Sequence, residues 1–475
     1  MPAPEDPPPD LPLDAVRQAL HAAEEHLALR QRVLRLPGVQ AAVALRGELL
    51  LDTAHGHADI ERGVPLTSRH LVRIASHSKT FTAVALLQLA EAGRVRLDDR
   101  LGQHVHDLPA EVASVTLREV LGHGAGLSRD GADGDHWTLE RPFPTREELA
   151  ASLSASTAVL PPGERFKYSN VGYALLGQVI EAVTGASYAA HVRSAVIDPI
   201  GLTDTGPELD ADRVGDYARG YTSLTYDDRR HPIEHVDTRA MVAATGFSST
   251  AADVARYATA LAWGDGRLVS DASRRLAFRE EHEVEGADEH YGLGFEVVRV
   301  GDRTYVGHGG GYPGHATKTL LEPTLGLAVC VAVTCIDGPA AELALAVARL
   351  LGLALEHGSE PPDDATRARL DRFTGATADL WVRTDVVRLG GQLVSLRLDQ
   401  ADPTRAAVLL GVVDDTTLRV TGGGTGFGSY GETVRYAFAP DGSVETVRGA
   451  SSTTGRPLPA LRERLARGDG VVHAP

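Results

Sequence analysis

Arg73-Ile74-Ala75-Ser76-His77-Ser78-Lys79-Thr80-Phe81-Thr82-Ala83 opens a run of apolar residues at helical spacing, continued by Val84, Leu86, Leu87 and Leu89. Residues three apart share a helix face, so Ser76 Oγ and Lys79 Nζ are expected side by side in the first turn. That turn gathers free backbone N–H groups and the positive end of the helix dipole. Such a field, together with burial, disfavours an ammonium and leaves a lysine able to take a proton from a neighbouring hydroxyl. The motif alone also fits another reading, with Ser76 as a helix cap and Lys79 exposed.

Composition bears on that choice. The 475-residue chain has 47 Lys and Arg, of which only Lys79, Lys167 and Lys318 are lysine. An amine can lose its proton and a guanidinium effectively cannot, so Lys79 is a candidate base. The net charge of −17 argues against nucleic acid and anionic membrane surfaces as partners. Cys330 and Cys335 stand five apart in a strand-like run, about 16 Å and on opposite faces, out of disulfide reach. The Pro-rich, acidic residues 1–10 form no secretory leader, and no apolar stretch of about 18 residues follows them. The expected location is cytoplasmic. With no His-Glu-x-x-His, Cys-x-x-Cys or dinucleotide fingerprint, neither a metal nor an organic cofactor is expected.

Around the opening stretch the periodicity predicts helices over 11–36, 76–92, 170–184, 249–263 and 340–355, and a β pair at 39–45 and 48–54. Three short strands with Gly-rich turns are expected over 291–333. Thr116-Leu117-Arg118-Glu119 and Thr145-Arg146-Glu147-Glu148 carry capping-box patterns. From His357 the texture changes: a linker by composition, then alternating strands. The expected organisation is a disordered leader (1–10), a large domain (11–357), a linker (358–364) and a β-rich domain (365–475) forming an antiparallel barrel or sandwich. Gly422-Gly423-Gly424-Thr425-Gly426 lacks the Gly-Lys-Ser/Thr of a phosphate loop and reads as a loop.

A serine nucleophile needs a base, an oxyanion site and a proton donor for the leaving group. Tyr168-Ser169-Asn170 places a phenol and an amide at a loop-to-helix entrance, where a packing aromatic and a helix cap are the alternatives. Gly307-His308-Gly309-Gly310-Gly311-Tyr312 is a strand that lets a substrate backbone approach and offers N–H donors.

Ser-x-x-Lys at 76–79, Tyr-x-Asn at 168–170 and His-x-Gly at 308–310, in that order, resemble the class C β-lactamase, D,D-peptidase and D-aminopeptidase family of serine hydrolases. Leu117 to Leu127, Pro199-Ile200-Gly201-Leu202-Thr203-Asp204-Thr205 and Gly246 to Asp253 extend the likeness over about residues 15–355. It implies an α/β (α+β) fold, with an antiparallel sheet, a helical lobe and the site between them. It also implies acylation of Ser76 with Lys79 as base, Tyr168 as proton shuttle and Asn170 holding the substrate amide. The N–H groups of Ser76 and Gly311 would form the oxyanion hole, and Gly309 and Gly310 would line the substrate strand.

His308-Gly309-Gly310 stands where the wider superfamily has Lys-Thr-Gly. A histidine is cationic only near or below about pH 6.5, and Gly309 has no hydroxyl. A strong grip on a substrate carboxylate is therefore not expected from this strand. His315 stands where an aromatic is common and Cys335 where Asn is frequent. The tail resembles the lipocalin-like domain that some relatives append. The resemblance implies a peptidase or amidase of D-aminopeptidase type, with two alternatives: a short-chain esterase, or a penicillin-binding protein or weak β-lactamase with little turnover. The expected partner is a small peptide or ester, and a homo-oligomer is compatible with the sequence.

Overall fold

Leu327-Ala328-Val329-Cys330-Val331-Ala332-Val333 is a heptapeptide with no polar side chain, and all seven residues are buried. A strand apolar on both faces belongs in the middle of a sheet covered on both sides, and this one is found there. The computed structural model describes residues 11–358, 362–424, 430–449 and 453–467. The leader over 1–10, part of the linker and part of the 422–428 glycine run lie outside them. The chain divides into two compact units, one of residues 1–9 and 34–344, the other of 10–33 and 345–475. The first helix, α1 (Leu13–Val33), stands in the second unit.

The first unit is built on a nine-stranded antiparallel sheet. Strands β1 (Gly38–Leu45) and β2 (Glu48–Asp59) form its first hairpin. The short strand β3 (Val72–Ala75) leads into helix α2 (Ser78–Glu91). Helices α3 (Leu117–Leu121) and α4 (Asn170–Thr184) follow. Strand β4 (Phe247–Ser249) pairs with β3 and precedes α5 (Ala251–Thr259). The sheet resumes with β5 (Glu289–Tyr291), β6 (Glu296–Val300), β7 (Arg303–Tyr312), β8 (His315–Glu322) and β9 (Leu327–Val333). Its order is Val64–Pro65, β2, β1, β9, β8, β7, β6, β5 and His282–Glu283. Where three strands were expected after Tyr291 there are four, β6 to β9. Gly301 and Gly314, both at positive φ, turn the chain between β6 and β7 and between β7 and β8.

Helix α2 has apolar residues on every side, and Ser78 to Leu87 are all buried. A helix apolar all round is a core helix. Phe81 stacks on Phe247 of β4 at 4.7 Å and on Tyr257 of α5 at 4.0 Å, which pins α2 between them. Both capping boxes form: Thr116 and Glu119 start α3, and Thr145 with Glu148 starts the helix Arg146–Ser152.

The second unit holds a closed barrel. Its strands are β10 (Gly375–Ala378), β11 (Arg383–Leu389), β12 (Gln392–Leu396), β13 (Val408–Val412), β14 (Thr417–Gly423), β15 (Thr433–Phe438), β16 (Val444–Arg448) and β17 (Thr454–Pro457). Pairing of Thr377 with Pro457 closes it. The alternation seen in the sequence is the inside–outside alternation of barrel strands: Leu393, Leu410, Leu418, Val420, Tyr436 and Val447 share the inner core. Two helices the alternation did not announce, Asp364–Asp371 and Leu458–Ala466, flank the strands in sequence. Among the described residues no helix is long and apolar enough to cross a membrane.

Candidate active site

The turn between β3 and α2 delivers Ser76. The pairing register of β3 with β4 slips between Arg73 and Ala75, and Ala75 takes φ 52°, a left-handed conformation that costs a non-glycine residue on the order of 1 kcal/mol or more. Ser78 holds the turn: its Oγ donates to Ala75 O at 2.6 Å and accepts from Phe247 N at 3.0 Å. Helix α2 starts at Ser78 with His77 as its cap residue, so Ser76 lies just ahead of the first turn that the sequence suggested for it. Ser76 is half-buried, whereas its neighbours from Leu71 to Ala75 and from His77 to Leu87 are all buried.

Lys79 is completely buried, which excludes the exposed-lysine reading. Its Nζ lies 3.1 Å from Ser76 Oγ, 2.8 Å from Asn170 Oδ1 and 2.8 Å from Ala244 O. Burial drives its pKa well below the ordinary ammonium value; Asp130 opposes the shift and Arg129 adds to it. The ring of Tyr168 lies 4.7 Å from Nζ and that of Tyr173 lies 5.5 Å away.

Helix α4 brings the second group. Ser169, not Asn170, caps it, through Oγ accepting from Gly172 N. Asn170 is thereby free to point inward: Nδ2 donates to Asp130 Oδ1 at 2.7 Å while Oδ1 faces Lys79. Burial raises the pKa of the Tyr168 hydroxyl above the usual phenol value, and Ser76 beside it pulls the other way.

Strand β7 contributes His308, fully buried, with Nε2 2.9 Å from the Tyr291 hydroxyl and its ring 6.4 Å from that of Tyr168. Burial lowers its pKa to about 4 against the pull of Glu296, so the imidazole is neutral at pH 7. Beneath it lies a buried ion pair, Lys318 Nζ to Glu296 Oε2 at 2.6 Å, and Glu296 Oε1 also accepts from Gly309 N at 3.0 Å. Burial opposes ionisation of Glu296, but Lys318 and His308 outweigh it and set its pKa at about 2. A Cβ at Gly310 would stand 2.4 Å from Ile74 O, whereas one at Gly311 would meet nothing within 4 Å. Strand β7 thus abuts the turn that carries Ser76, with Gly311 open beside it.

The structure therefore gathers Ser76, Lys79, Tyr168 and Asn170 around one point, with His308 one ring away and Gly309 to Gly311 along the facing strand. Tyr291, Glu296, Asp130, Arg129 and the carbonyl of Ala244 belong to the same neighbourhood and were not read from sequence. Lys318 was singled out there only by the rarity of lysine.

Residues 24–354 match the family model described as Beta-lactamase. The chain belongs to the β-lactamase family. Penicillin-binding protein 4* of Bacillus subtilis strain 168 is 28% identical over 288 residues, 58% of this chain and 63% of that protein. Protein flp of Staphylococcus aureus strain COL is 28% identical over 174 residues, 36% and 34%. The chain thus spans less than two thirds of the length of either relative. Among solved structures, the octameric penicillin-binding protein homologue from Pyrococcus abyssi superposes with TM-score 0.64 at 23% identity, over 90% of this chain and 98% of that one, which shows the fold. The D-amino acid amidase from Ochrobactrum anthropi SV3, complexed with L-phenylalanine, gives TM-score 0.57 at 26% identity, over 66% and 92%.

Proposed function

We propose that this β-lactamase-family chain is a peptidase or amidase of D-aminopeptidase type, acting on small peptides through an acyl-enzyme on Ser76. One observation carries the mechanism: the three neighbours of Lys79 Nζ. A neutral amine has two N–H donors and one lone pair. Asn170 Oδ1 and Ala244 O, both at 2.8 Å, take the two donors. The lone pair then faces Ser76 Oγ at 3.1 Å, where it accepts the hydroxyl proton as the oxygen attacks the substrate carbonyl.

The developing oxyanion is held by the N–H groups of Ser76 and Gly311. Tyr168, beside Ser76, relays the proton to the departing amine. Asn170 orients the substrate amide, and Gly309 and Gly310 let its backbone lie against β7. Water then attacks the acyl ester by the reverse relay and frees Ser76. Neutral His308 adds hydrogen-bonding capacity and no fixed positive charge. A D-configured amide substrate is favoured by the 26% likeness to the D-amino acid amidase. Self-association into a homo-oligomer corresponds to the octamer described for the Pyrococcus relative and is checked by sedimentation.

The deciding experiment compares kcat/KM for D-alanyl p-nitroanilide, its L-enantiomer and p-nitrophenyl butyrate, and maps the adduct of a fluorophosphonate probe by mass. Hydrolysis of the D-anilide with modification at Ser76 supports the proposal. A hundredfold preference for the ester makes the chain an esterase, and a permanent penicillin adduct with no turnover makes it a binding protein.

A further inference from the structure

Lys-Thr-Gly is absent from β7, and the cations near that strand are neutral, paired or wholly buried. His308 is neutral at pH 7. Lys318 is paired with Glu296 and Glu289. Arg73 is fully buried, 4.7 Å from the Tyr312 ring and 3.9 Å from Glu208. Beside Tyr168 stands Arg129. Its side chain is 66% exposed, and its Nε lies 3.2 Å from Asp130 Oδ2. Its guanidinium carbon lies 5.7 Å from the Tyr168 ring. Its backbone is fixed, because Arg129 O accepts from Asn170 N at 2.8 Å and Val171 N at 3.2 Å, so the base of the side chain is tied to the start of α4. Its charge reaches the centre: Arg129 lowers the pKa of both Lys79 and Tyr168.

We infer that Arg129 is the carboxylate-recognising residue of this site, and that the favoured substrates are short peptides whose leaving residue carries a free α-carboxylate. This rests on the peptidase reading above. In that reaction Ser76 Oγ bonds to the carbonyl carbon, the C–N bond breaks, and the amine leaves with the proton relayed by Tyr168. Water then cleaves the ester, so one peptide and one water give two amino acids. The leaving nitrogen is at the Tyr168 hydroxyl when the bond breaks. In an amino acid the carboxylate carbon is about 2.5 Å from the nitrogen, so the carboxylate must lie over or beside the phenol. The guanidinium carbon of Arg129 lies 5.7 Å from that phenol ring, and a guanidinium takes a carboxylate through two parallel hydrogen bonds of about 2.8 Å.

The test uses two substrates that differ only in charge, D-alanylglycine and D-alanylglycinamide. Wild-type protein is expected to favour the free acid by tenfold or more in kcat/KM, with the preference falling as NaCl is raised, since an exposed pair is screened. Arg129→Gln should abolish the preference, mainly through KM; its effect on Lys79 and Tyr168 falls on both substrates alike and cancels in the ratio of the two kcat/KM values. Arg129→Lys should keep part of it, because an ammonium cannot make the paired contact. Lys167→Gln, which removes the charge next to Tyr168 in the sequence, should leave the preference intact. A wild-type enzyme indifferent to the carboxylate, or a preference that survives Arg129→Gln, overturns the inference. If neither peptide is cleaved, the peptidase reading fails, and O-acetylglycolate against O-acetylglycolamide, with the same two-bond spacing, decides the role of Arg129 in an esterase.

Discussion

Asn170 Oδ1 lies 2.8 Å from Lys79 Nζ and takes one of the two N–H bonds that a neutral amine can offer. A carboxylate in its place would favour the ammonium instead, by one to three pKa units at such a distance. The base is active only when neutral, so a raised pKa moves the acid limb of the pH profile upward. Asn170→Asp is therefore expected to shift the acid limb of kcat/KM to higher pH by a unit or more. Asp130 already raises the lysine pKa, so Asp130→Asn should shift the limb the other way. Both profiles are read by initial rates between pH 5 and 10, and an unmoved limb in both variants would remove Lys79 from the base role.

Ser76 stands beside Tyr168, yet burial keeps the phenol protonated far above neutral pH. It can relay a proton and cannot be the resting anion. Tyr168→Phe should lower kcat on anilide substrates by roughly 10² to 10⁴, the usual range for a lost general acid or base. An ester with a good leaving group needs less protonation and should lose less. Stopped-flow acylation with p-nitrophenyl butyrate separates the two, and an equal loss on both substrates would contradict the relay.

How much of this site could be read from the chain depended on distance along it. Ser76 and Lys79 are three residues apart and Tyr168 and Asn170 two, so each pair is a local pattern. The capping boxes at Thr116 and Thr145 are local as well, and both form. The network under His308 is not local: Tyr291, Glu296 and Lys318 come from β5, β6 and β8. Only sheet register, which sets Gly309 opposite Lys318, brings them together. Strand spacing gave no sign of it. The base also relies on Ala244 O, a backbone atom that no residue pattern can mark. The grouping of α1 with the second unit, where His26 Nδ1 lies 2.9 Å from Leu398 O, spans 372 residues and is equally invisible in local spacing.

Gly310 and Gly311 are neighbours with different constraints. An added Cβ at Gly310 would sit 2.4 Å from Ile74 O and from Thr317 Oγ1, while at Gly311 the space is open. A backbone carbonyl cannot rotate away, so Gly310→Ala must push β7 off the Ser76 turn. The expected result is a loss of 2 kcal/mol or more, in the range of overpacked cores, with activity lost. Gly311→Ala should melt within about 2 °C of the wild type, since surface changes stay within roughly 0.5 kcal/mol, while KM rises because the methyl enters the cleft. Calorimetry and steady-state kinetics on the pair check both.

Acid should destabilise the first unit over two overlapping windows. His77 and His308 are buried and neutral, with pKa values lowered from 6.5 to about 3 and about 4, chiefly by burial. His77 faces His308, Thr317 and Thr319, with Glu296 and Lys318 nearby. The unfolded chain binds these protons near pH 6.5 and the folded one does not, so stability is highest above 6.5 and falls as pH drops toward 4. Two such groups give at most roughly 3 kcal/mol per pH unit. Glu296 acts lower. Its pKa falls from 4.5 to about 2, so the stability from its pairing with Lys318 is present above 4.5 and lost as pH falls through 2. Urea midpoints at pH 7, 5.5 and 4 should therefore decline for the wild type, and His77→Asn should flatten that decline. Glu296→Gln leaves Lys318 buried without its nearest carboxylate, a change that costs about 3 to 5 kcal/mol. It should lower the midpoint at every pH and remove the share of the loss below pH 4.5 that Glu296 carries, leaving the histidine share, and a midpoint independent of pH from 7 to 4 would refute the assignment of neutral histidines to this core.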